Sequence, residues 1–413
     1  MNFVSTGTAS VLISGTQNVT DTRFPPLWRV IWSISIWKGV LLLVVLIAPF
    51  IIPATGAFFT DVIVRVRLPE SIWIWGNFDG VHYVSIARSG YFASTVPFFP
   101  FYPFLIKMFV EVTHISFVVA GQIISIASLW LATIVGFYVL KLERQERLFF
   151  TFLAVLFTYP TAFYYAGVYN DALYFFLATL TILFARRKSW FYAAVTSALA
   201  TLTRLNGLAL PFLIACEYLL SENDNKSWNL VGVSKKLWFR FKALRINHAA
   251  LVGIVASPLA FLAYIFWVHR SFGTWQLLFT SMQVWQQDRL TLPFQVIGRY
   301  IKIFLLSPTN ELPFWIAVVE FVSVTVYVLL FFLSFKKIRF SYWLFFFVSI
   351  LIPSMTGTFQ GMPRYGLHIY PFFLLLTLIL SQRGKVVRTI YFLISAAVQV
   401  TLLSLFSRGY FVS

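Results

Sequence analysis

Apolar runs long enough to cross a bilayer alternate with short polar segments along the whole chain. A helix needs about 20 apolar residues to cross the hydrocarbon core of a membrane, and this spacing predicts eleven spans. They lie at about residues 30–52, 115–140, 148–165, 172–186, 190–220 as two short helices, 248–268, 314–335, 342–353, 367–380 and after 388. We therefore predict an all-α polytopic membrane protein that forms a single membrane domain over residues 1–413.

Three segments depart from a simple sequence of spans. Residues 53–114 follow the first span and are rich in polar and aromatic residues, so we interpret them as a first outer loop. Residues 270–311 mix Gln, Trp, Arg and Phe, which is typical of helices that lie on the membrane surface. The run at 190–220 is interrupted by Arg204, Asn206 and Gly207, so it predicts two short helices that meet inside the protein.

Charge supports this arrangement and excludes one class of function. Apolar residues make up 59% of the 413 residues and charged residues 11%, with a net charge of +18. A nucleic-acid role is not expected, because the basic residues fall in short clusters at the ends of alternate spans, as at a cytoplasmic membrane surface. The clusters are Lys141, Arg144 and Arg147; Arg186, Arg187 and Lys188; Lys336, Lys337 and Arg339; and Arg383, Lys385 and Arg388.

The cysteine and metal-ligand patterns of the sequence predict neither a disulfide nor a metal site. The single cysteine, Cys216, lies in an apolar run, so the sequence has no disulfide framework. No grouping of His, Cys and carboxylate residues has metal-ligand spacing, so we predict no metal and no other cofactor, although Asp79 could recruit a divalent ion. A polar lead of Ser, Thr and Asn precedes the first apolar run, which we therefore expect to be a retained membrane anchor.

The predicted topology places four polar groups on the non-cytoplasmic side. They are Asp79 with His82 and Tyr83; Tyr169 with Asn170 and Asp171; Arg204 with Asn206; and the segment M-P-R-Y-G-L-H from Met362 to His368. A carboxylate such as Asp79 can take the proton from a sugar hydroxyl that displaces a phosphate. An arginine such as Arg204 or Arg364 pairs two phosphate oxygens and stays charged as the phosphate leaves.

Each candidate also has a structural interpretation that the sequence leaves open. Asp79 could be a solvated loop acid, and His82 could stabilise its loop. Asp171 could cap the helix that begins at Ala172. Arg204 could pair with a buried carboxylate, and Arg364 could anchor the chain at the membrane interface.

The same segments carry a resemblance to a known family. D-G-V-H-Y-V-S-I-A-R-S-G-Y from Asp79, followed by P-F-F-P-F-Y-P, resembles the first outer loop of the GPI mannosyltransferase II (PIG-V) family. Three further stretches fit in the same order, so that the matches extend from about residue 73 to 373. They are Y-P-T-A-F-Y-Y-A-G-V-Y-N-D-A-L-Y from Tyr159, T-R-L-N-G from Thr203 and P-R-Y from Pro363.

This resemblance implies a GT-C type fold and an inverting hexosyltransferase. The donor would be a polyprenyl-phosphate sugar, usually dolichyl-phosphate mannose in eukaryotes. The acceptor would be a lipid or glycan hydroxyl at the outer face of a bacterial or archaeal plasma membrane, if the chain is a prokaryotic relative, or at the lumenal face of the endoplasmic reticulum. An accessory membrane subunit stays open as a further partner.

The resemblance also assigns roles to residues. It makes Asp79 the catalytic base or a carboxylate that positions the acceptor, and it makes Asp171 a second catalytic carboxylate. The family commonly has glutamate where Asp171 stands and tryptophan or arginine where Phe78 stands. The substrate-binding residues that we predict are His82, Tyr83, Tyr91, Arg204, Asn206, Arg364 and Tyr365.

Two other classes of function fit the same pattern. A transporter or flippase of a lipid-linked saccharide would also use a broken hairpin and charges inside the membrane, although no half of the chain repeats the other. A non-catalytic assembly factor for another membrane enzyme is the second alternative. A serine hydrolase is disfavoured, because no serine stands in a tight glycine-flanked turn near an outer histidine.

Overall fold

The computed structural model describes residue 25 and residues 27–55, 67–226, 228–242, 248–285, 287 and 290–412. These residues form helices joined by short turns, and the described ranges contain no strand. Fifteen helices have ten or more residues. They are α1 Leu27–Ile47, α2 Asp79–Ser89, α3 Phe101–Thr113, α4 Phe117–Leu142, α5 Phe149–Thr158, α6 Asp171–Arg186, α7 Trp190–Thr203, α8 Leu210–Leu219, α9 Leu230–Lys242, α10 His248–Phe272, α11 Pro293–Leu306, α12 Leu312–Leu333, α13 Phe340–Ser354, α14 Tyr370–Ser381 and α15 Lys385–Ser407.

Five of the described helices are individually long and apolar enough to cross a membrane. They are α1 with its 3₁₀ extension, α4, α10, α12 and α15. The segment Met362–His368 and helix α14 would form a sixth crossing, but they meet at an angle of 89°. The all-α membrane architecture is thus confirmed, whereas several of the eleven predicted spans are shorter helices. Helix α5 has 10 residues, about 15 Å at 1.5 Å per residue, and ends just before Pro160, which cannot continue a helix.

The predicted first outer loop is largely helical where the structure describes it. Helix α2 begins at Asp79 itself, and α3 follows from Phe101 to Thr113. Phe78 precedes α2 with φ 57° and ψ −116°, a backbone conformation that non-glycine residues rarely adopt. Residues 56–66 of the predicted loop, and residues 286, 288 and 289 of the predicted interfacial segment, lie outside the described residues.

The predicted break in the run at 190–220 is present. Helix α7 ends at Thr203, a 3₁₀ turn covers Leu205–Ala209, and α8 begins at Leu210. Gly207 permits this close turn, because a Cβ at its position would lie 2.4 Å from the Thr201 Cα. Arg204 is therefore held at the junction of two short helices inside the bundle.

The predicted interfacial segment contains the amphipathic helix α11. Val296 and Tyr300 are buried on one side of α11, whereas Phe294, Ile301 and Leu305 are exposed. Such a distribution suits a helix that lies along a membrane surface with its apolar side towards lipid.

The two ends of α6 carry different charge clusters. Arg186 at the C-terminal end of α6 pairs with Glu143 at 3.0 Å. Arg339 pairs nearby with Glu217 at 2.9 Å and with Glu222 at 2.8 Å. Asp171 begins α6, so about 22 Å of helix separates it from these ion pairs.

Helix α15 packs against the segment that precedes α2. The Asn77 amide donates a hydrogen bond of 3.2 Å to the Phe406 carbonyl, although the two residues are 329 positions apart. The Phe78 ring contacts Phe406 and Phe411 with centroid separations of 5.5 and 5.4 Å. The last described helix therefore fixes the position at which α2 begins.

Candidate active site

Arg364 joins two carboxylates that each begin a helix. Its Nη1 donates to Asp79 Oδ2 at 2.6 Å, and its Nε donates to both oxygens of Asp171 at 3.0 and 3.1 Å. Asp79 is the first residue of α2 and Asp171 the first residue of α6, where the helix dipole favours negative charge. Three residues that are distant in sequence thus meet in one cluster.

Asp171 forms the buried centre of this cluster. Its side chain has no solvent exposure, whereas the Asp79 side chain is 25% exposed. Burial opposes ionisation of Asp171, but the Arg364 and Arg204 guanidinium groups outweigh burial and hold the pKa of that carboxyl well below its usual range. Asp171 is therefore a buried anion, and Asp79 is the more exposed of the two carboxylates.

The alternative interpretation of Asp171 as a helix cap is wrong. The N-cap of α6 is Asn170, and no side-chain capping bond forms there. Asn170 instead accepts a bond from Arg204 Nη1 at 2.8 Å and donates to the Thr203 carbonyl at 2.6 Å. The Asp171 oxygens instead accept bonds from the side chains of Arg364, Arg204 and His368.

Arg204 brings the second guanidinium group to the cluster. Its Nη1 lies 3.3 Å from Asp171 Oδ1, and its side chain is 15% exposed. The guanidinium also lies over the Tyr365 ring, 5.0 Å from its centroid. Arg204 therefore pairs with a buried carboxylate, as its structural interpretation expects. Part of its side chain is also exposed beside Tyr365.

His368 completes the cluster and was not among the predicted binding residues. Its Nε2 lies 2.7 Å from Asp171 Oδ1, and the side chain is fully buried. Because an ionised carboxylate accepts hydrogen bonds, Nε2 carries the proton in this contact. His368 lies four residues after Arg364. This short spacing is the sequence signal that the two side chains lie close together.

The Arg364 guanidinium is enclosed by aromatic rings. It lies 5.0 Å from the Tyr164 centroid and 4.7 Å from the Tyr169 centroid. The Tyr169 hydroxyl donates to the Asn77 carbonyl at 2.6 Å, which joins this wall to the turn before Asp79. Among the described residues, Arg364 Nη2 has no hydrogen-bond partner although it is buried. A buried charged group with a spare donor is costly unless a ligand uses it.

Helix α2 places two more predicted residues beside Asp79. His82 and Tyr83 lie three and four positions after Asp79, so all three share one side of the helix. The His82 ring stacks on Phe98 at 4.4 Å, and Trp285 meets both rings edge-on at 6.0 Å. Tyr83 is buried among charged cluster residues, and burial raises its pKa well above the usual value, so it remains a neutral hydroxyl.

Two predicted residues lie apart from the charged cluster. Tyr91 donates a hydrogen bond of 2.6 Å to the Phe98 carbonyl and packs on Trp267 at 5.0 Å. Asn206 is buried, and its amide donates to the Ser349 carbonyl at 3.4 Å. Both contacts stabilise backbone around the site and involve neither carboxylate.

Charge balance in the cluster is neutral before a ligand binds. Two carboxylates, Asp79 and Asp171, face two guanidinium groups, Arg204 and Arg364. In the described part of the chain, no group of three or more His, Cys, Asp or Glu side chains could hold a metal ion. The described cluster thus places two guanidinium groups beside one partly exposed carboxylate.

Comparisons with known proteins give distant structural similarity. No family model and no curated protein sequence matches the chain. Its fold aligns with the Archaeoglobus fulgidus oligosaccharyltransferase in complex with Zn and sulfate, at 12% identity and a TM-score of 0.40, over 91% of this chain and 53% of that one.

Two further structures from the same organism align over similar lengths. The oligosaccharyltransferase tethered with an acceptor peptide gives 13% identity and a TM-score of 0.42, over 92% of this chain and 55% of that one. The oligosaccharyltransferase AglB with an inhibitory peptide and a dolichol-phosphate gives 11% identity and a TM-score of 0.39, over 92% and 56%. This chain thus spans about half the length of the structures that it matches.

Proposed function

We propose that this protein is a membrane glycosyltransferase of GT-C type. It moves a sugar, mannose by the sequence resemblance, from a polyprenyl-phosphate donor to an acceptor hydroxyl at the non-cytoplasmic membrane face. The observation that carries this proposal is the position of Arg364, which holds a partly exposed carboxylate at 2.6 Å and a fully buried one at 3.0 Å. In this arrangement the proposed base, Asp79, directly contacts Arg364, the cation that would bind the phosphate.

Asp79 is the base in the proposed reaction. Its carboxylate takes the proton of the acceptor hydroxyl while the acceptor oxygen forms a bond to the anomeric carbon of the sugar. The bond from that carbon to the donor phosphate breaks, and its electron pair leaves on the phosphate oxygen. Attack opposite the leaving group inverts the anomeric centre.

Arg364 and Arg204 stabilise the leaving group. A polyprenyl phosphodiester gains one negative charge when it becomes a free phosphomonoester, and a guanidinium stabilises this charge most strongly in a dry site. The buried Nη2 of Arg364 is free to donate to a phosphate oxygen. Phosphate also competes with Asp79 for Nη1, so donor binding releases the carboxylate to act on the acceptor.

Asp171 and His368 act through the arginines. Asp171 has no exposed surface and accepts bonds from Arg364, Arg204 and His368. Its burial favours a positioning role over the direct catalytic role that the resemblance implies. Asn206 also lies in the supporting structure, where its amide bonds the Ser349 carbonyl.

Aromatic side chains supply the wall for the sugar and lipid. His82, Tyr83 and Tyr365 lie next to Asp79 or Arg204, and Trp285 extends the wall from the segment after α10. Flat aromatic surfaces bind the apolar faces of sugars and isoprenoid units by contact area. Tyr91 packs behind this wall and supports Phe98.

The direct test compares Asp79→Asn with Glu70→Gln in purified protein. Both residues pair with an arginine, Glu70 with Arg408 at 2.9 Å, but Glu70 is exposed and outside the cluster. With a panel of polyprenyl-phosphate sugars and a lipid extract of the source, we expect wild type and Glu70→Gln to transfer sugar. Loss of a general base lowers kcat by about 10² to 10⁴ in Asp79→Asn.

The assay is performed in detergent, where transport across a membrane has no meaning. If the protein were a transporter or an assembly factor, no variant would transfer sugar. That result would refute the proposal that the protein is an enzyme. Full activity in Asp79→Asn would refute the assigned base while leaving the enzyme class intact.

A further inference from the structure

A carboxyl group lies inside α12, apart from the charged cluster. Glu320 follows the first residue of this helix, Leu312, by eight positions, or about 12 Å at 1.5 Å per residue. The helix is one of the five that are long enough to cross a membrane, and Glu320 is 5% exposed. An ionisable residue within such a helix is costly and usually functional. The proposed reaction gives Glu320 no direct step, so its contacts indicate what it does.

Glu320 holds a tyrosine of the amphipathic helix α11. The Tyr300 hydroxyl donates its proton to Glu320 Oε2 and accepts a hydrogen bond of 3.2 Å from the Phe359 amide. The Tyr300 ring also packs on the Phe359 ring, with a centroid separation of 5.0 Å. A hydroxyl has one proton and two lone pairs, so the bond to Glu320 orients the lone pairs towards the backbone at Phe359. The carboxyl group thereby fixes this backbone through Tyr300.

The backbone held in this way belongs to residues 355–361, which we call the entry segment. Gly357 and Gly361 lie in it with φ 91° and 82°, in the region that favours glycine because it has no Cβ. Arg299, the neighbour of Tyr300 on α11, donates from Nη1 to the Gly357 carbonyl at 3.2 Å. Since glycines leave a chain many conformations, the course of the entry segment depends on these side-chain contacts.

Helix α12 also contacts the turn Met362–Tyr365, which follows the entry segment and carries the site arginine. The Tyr327 hydroxyl donates to the Met362 carbonyl at 3.0 Å and accepts a bond of 3.2 Å from the Gly366 amide. Tyr327 lies seven residues after Glu320, about two helical turns, so both side chains lie on one side of α12. This side of α12 therefore determines where the chain runs before and after the arginine.

We propose that Glu320 and Tyr300 are positioning residues that set the place of the Arg364 guanidinium through the entry segment. The inference rests on the proposed role of Arg364 in stabilising the leaving phosphate. Arg364 contacts Asp79 at 2.6 Å and Asp171 at 3.0 Å, so a shift of its backbone changes the geometry that a phosphate meets. A misplacement of about 1 Å, caused far from the reacting atoms, can lower a rate by about 10²-fold.

The test compares two tyrosines that each donate to a buried glutamate. Tyr300→Phe removes the hydroxyl and keeps the ring that packs on Phe359. Tyr342→Phe is the matched control, because the buried Tyr342 donates to Glu143 at 2.9 Å among the ion pairs at the other end of α6. Each variant loses one hydroxyl bonded to a carboxyl group, so both should lower the thermal midpoint by similar amounts.

The kinetic effect should separate the two variants. We expect kcat for sugar transfer to fall about tenfold in Tyr300→Phe and to stay within about twofold in Tyr342→Phe, with KM for the acceptor unchanged in both. Glu320→Leu should resemble Tyr300→Phe, whereas Glu320→Gln keeps an acceptor oxygen and should lose about threefold at most. Equal kcat in Tyr300→Phe and Tyr342→Phe would overturn the proposal.

A double-mutant cycle shows whether Tyr300 acts through Arg364. In an Arg364→Lys background, Tyr300→Phe should lower kcat less than about twofold, because the guanidinium that Tyr300 positions is gone. A full tenfold loss in that background would overturn the proposal, because independent effects add in free energy.

Hydrogen exchange tests the same connection without turnover. The amides of residues 355–368 should exchange at least about fivefold faster in Tyr300→Phe than in wild type, and within about twofold of wild type in Tyr342→Phe. Unchanged exchange in Tyr300→Phe would overturn the proposal whatever the activity. Faster exchange combined with a wild type that transfers no sugar would refute the proposed function, while the placement of Arg364 by Tyr300 would stand.

Discussion

Asp171→Asn should separate the effect of the buried carboxylate from that of Asp79, the proposed base. In the native cluster, Asp171 accepts bonds from Arg364 Nε, Arg204 Nη1 and His368 Nε2 at 2.7 to 3.3 Å, with no exposed surface. An asparagine keeps one acceptor oxygen but turns an N–H group towards donors. Two buried guanidinium groups then lose the anion that neutralises them.

The expected size of this effect follows from burial. Removing one partner of a buried ion pair costs about 3 to 5 kcal/mol. Asp79 is 25% exposed and Arg364 keeps its pair with Asp171 in Asp79→Asn, so this variant should cost about 1.5 kcal/mol, the value of one hydrogen bond to a charged group. The two variants should therefore differ by about 1.5 to 3.5 kcal/mol in stability although each removes one carboxylate.

Stability can be measured as the temperature at which half of the detergent-purified protein remains monodisperse. Asp171→Asn should fall well below wild type, and Asp79→Asn should stay close to it while it loses sugar transfer. Adding Arg364→Gln to Asp171→Asn should recover part of the stability, because the cluster then holds one cation and one carboxylate, but it should recover no activity. Equal stability of the two single variants would refute the assignment of Asp171 as the buried centre.

Three other predictions concern charge. Arg364→Lys keeps one positive charge but cannot bond both carboxylates and a phosphate at once. The protein should stay folded, and kcat/KM should fall about 10² to 10³-fold. Wild-type rates would refute the role of Arg364 in phosphate binding. The rate of sugar transfer should stay within twofold in excess EDTA, because Arg364 and Arg204 stabilise the leaving phosphate. A loss of activity in EDTA that is reversed by added Mg²⁺ or Mn²⁺ would contradict this. The Asp171 pKa is lowered in the folded protein, so its stabilisation is complete above the unfolded value of about 3.9 and is lost as pH falls below it. The stability gap between wild type and Asp171→Asn should hence be constant from pH 8 to 5 and shrink below about pH 4, and a gap that closes by pH 6 would refute this pKa direction.

The predicted topology grouped the site residues but did not show how they are arranged. It placed Asp79, Asp171, Arg204 and Arg364 in polar groups on one side of the membrane, and the described structure brings these four into one cluster. The break at Arg204 was also expected, since a charge and a glycine interrupt an apolar run. Both expectations came from the order of apolar and polar residues along the chain, which a single sequence contains.

Angles and burial depend on tertiary packing and were not predictable. The 89° bend before α14 turns Arg364 and His368 into the bundle, and no residue pattern sets that angle. The complete burial of Asp171 depends on three segments that close over it. Trp285 reaches His82 across about 200 residues, and such a contact leaves no periodic signal.

The contact between α15 and the segment before α2 has a consequence for biogenesis. A ribosome delivers α2 early, yet Asn77 and Phe78 are held by Phe406 and Phe411, which are translated much later. Nascent chains that have not yet reached α15 therefore carry Asp79 without this anchor. The proposed sugar transfer should begin only after α15 has been inserted, so translation products that end before α15 should be inert and should consume no lipid-linked sugar.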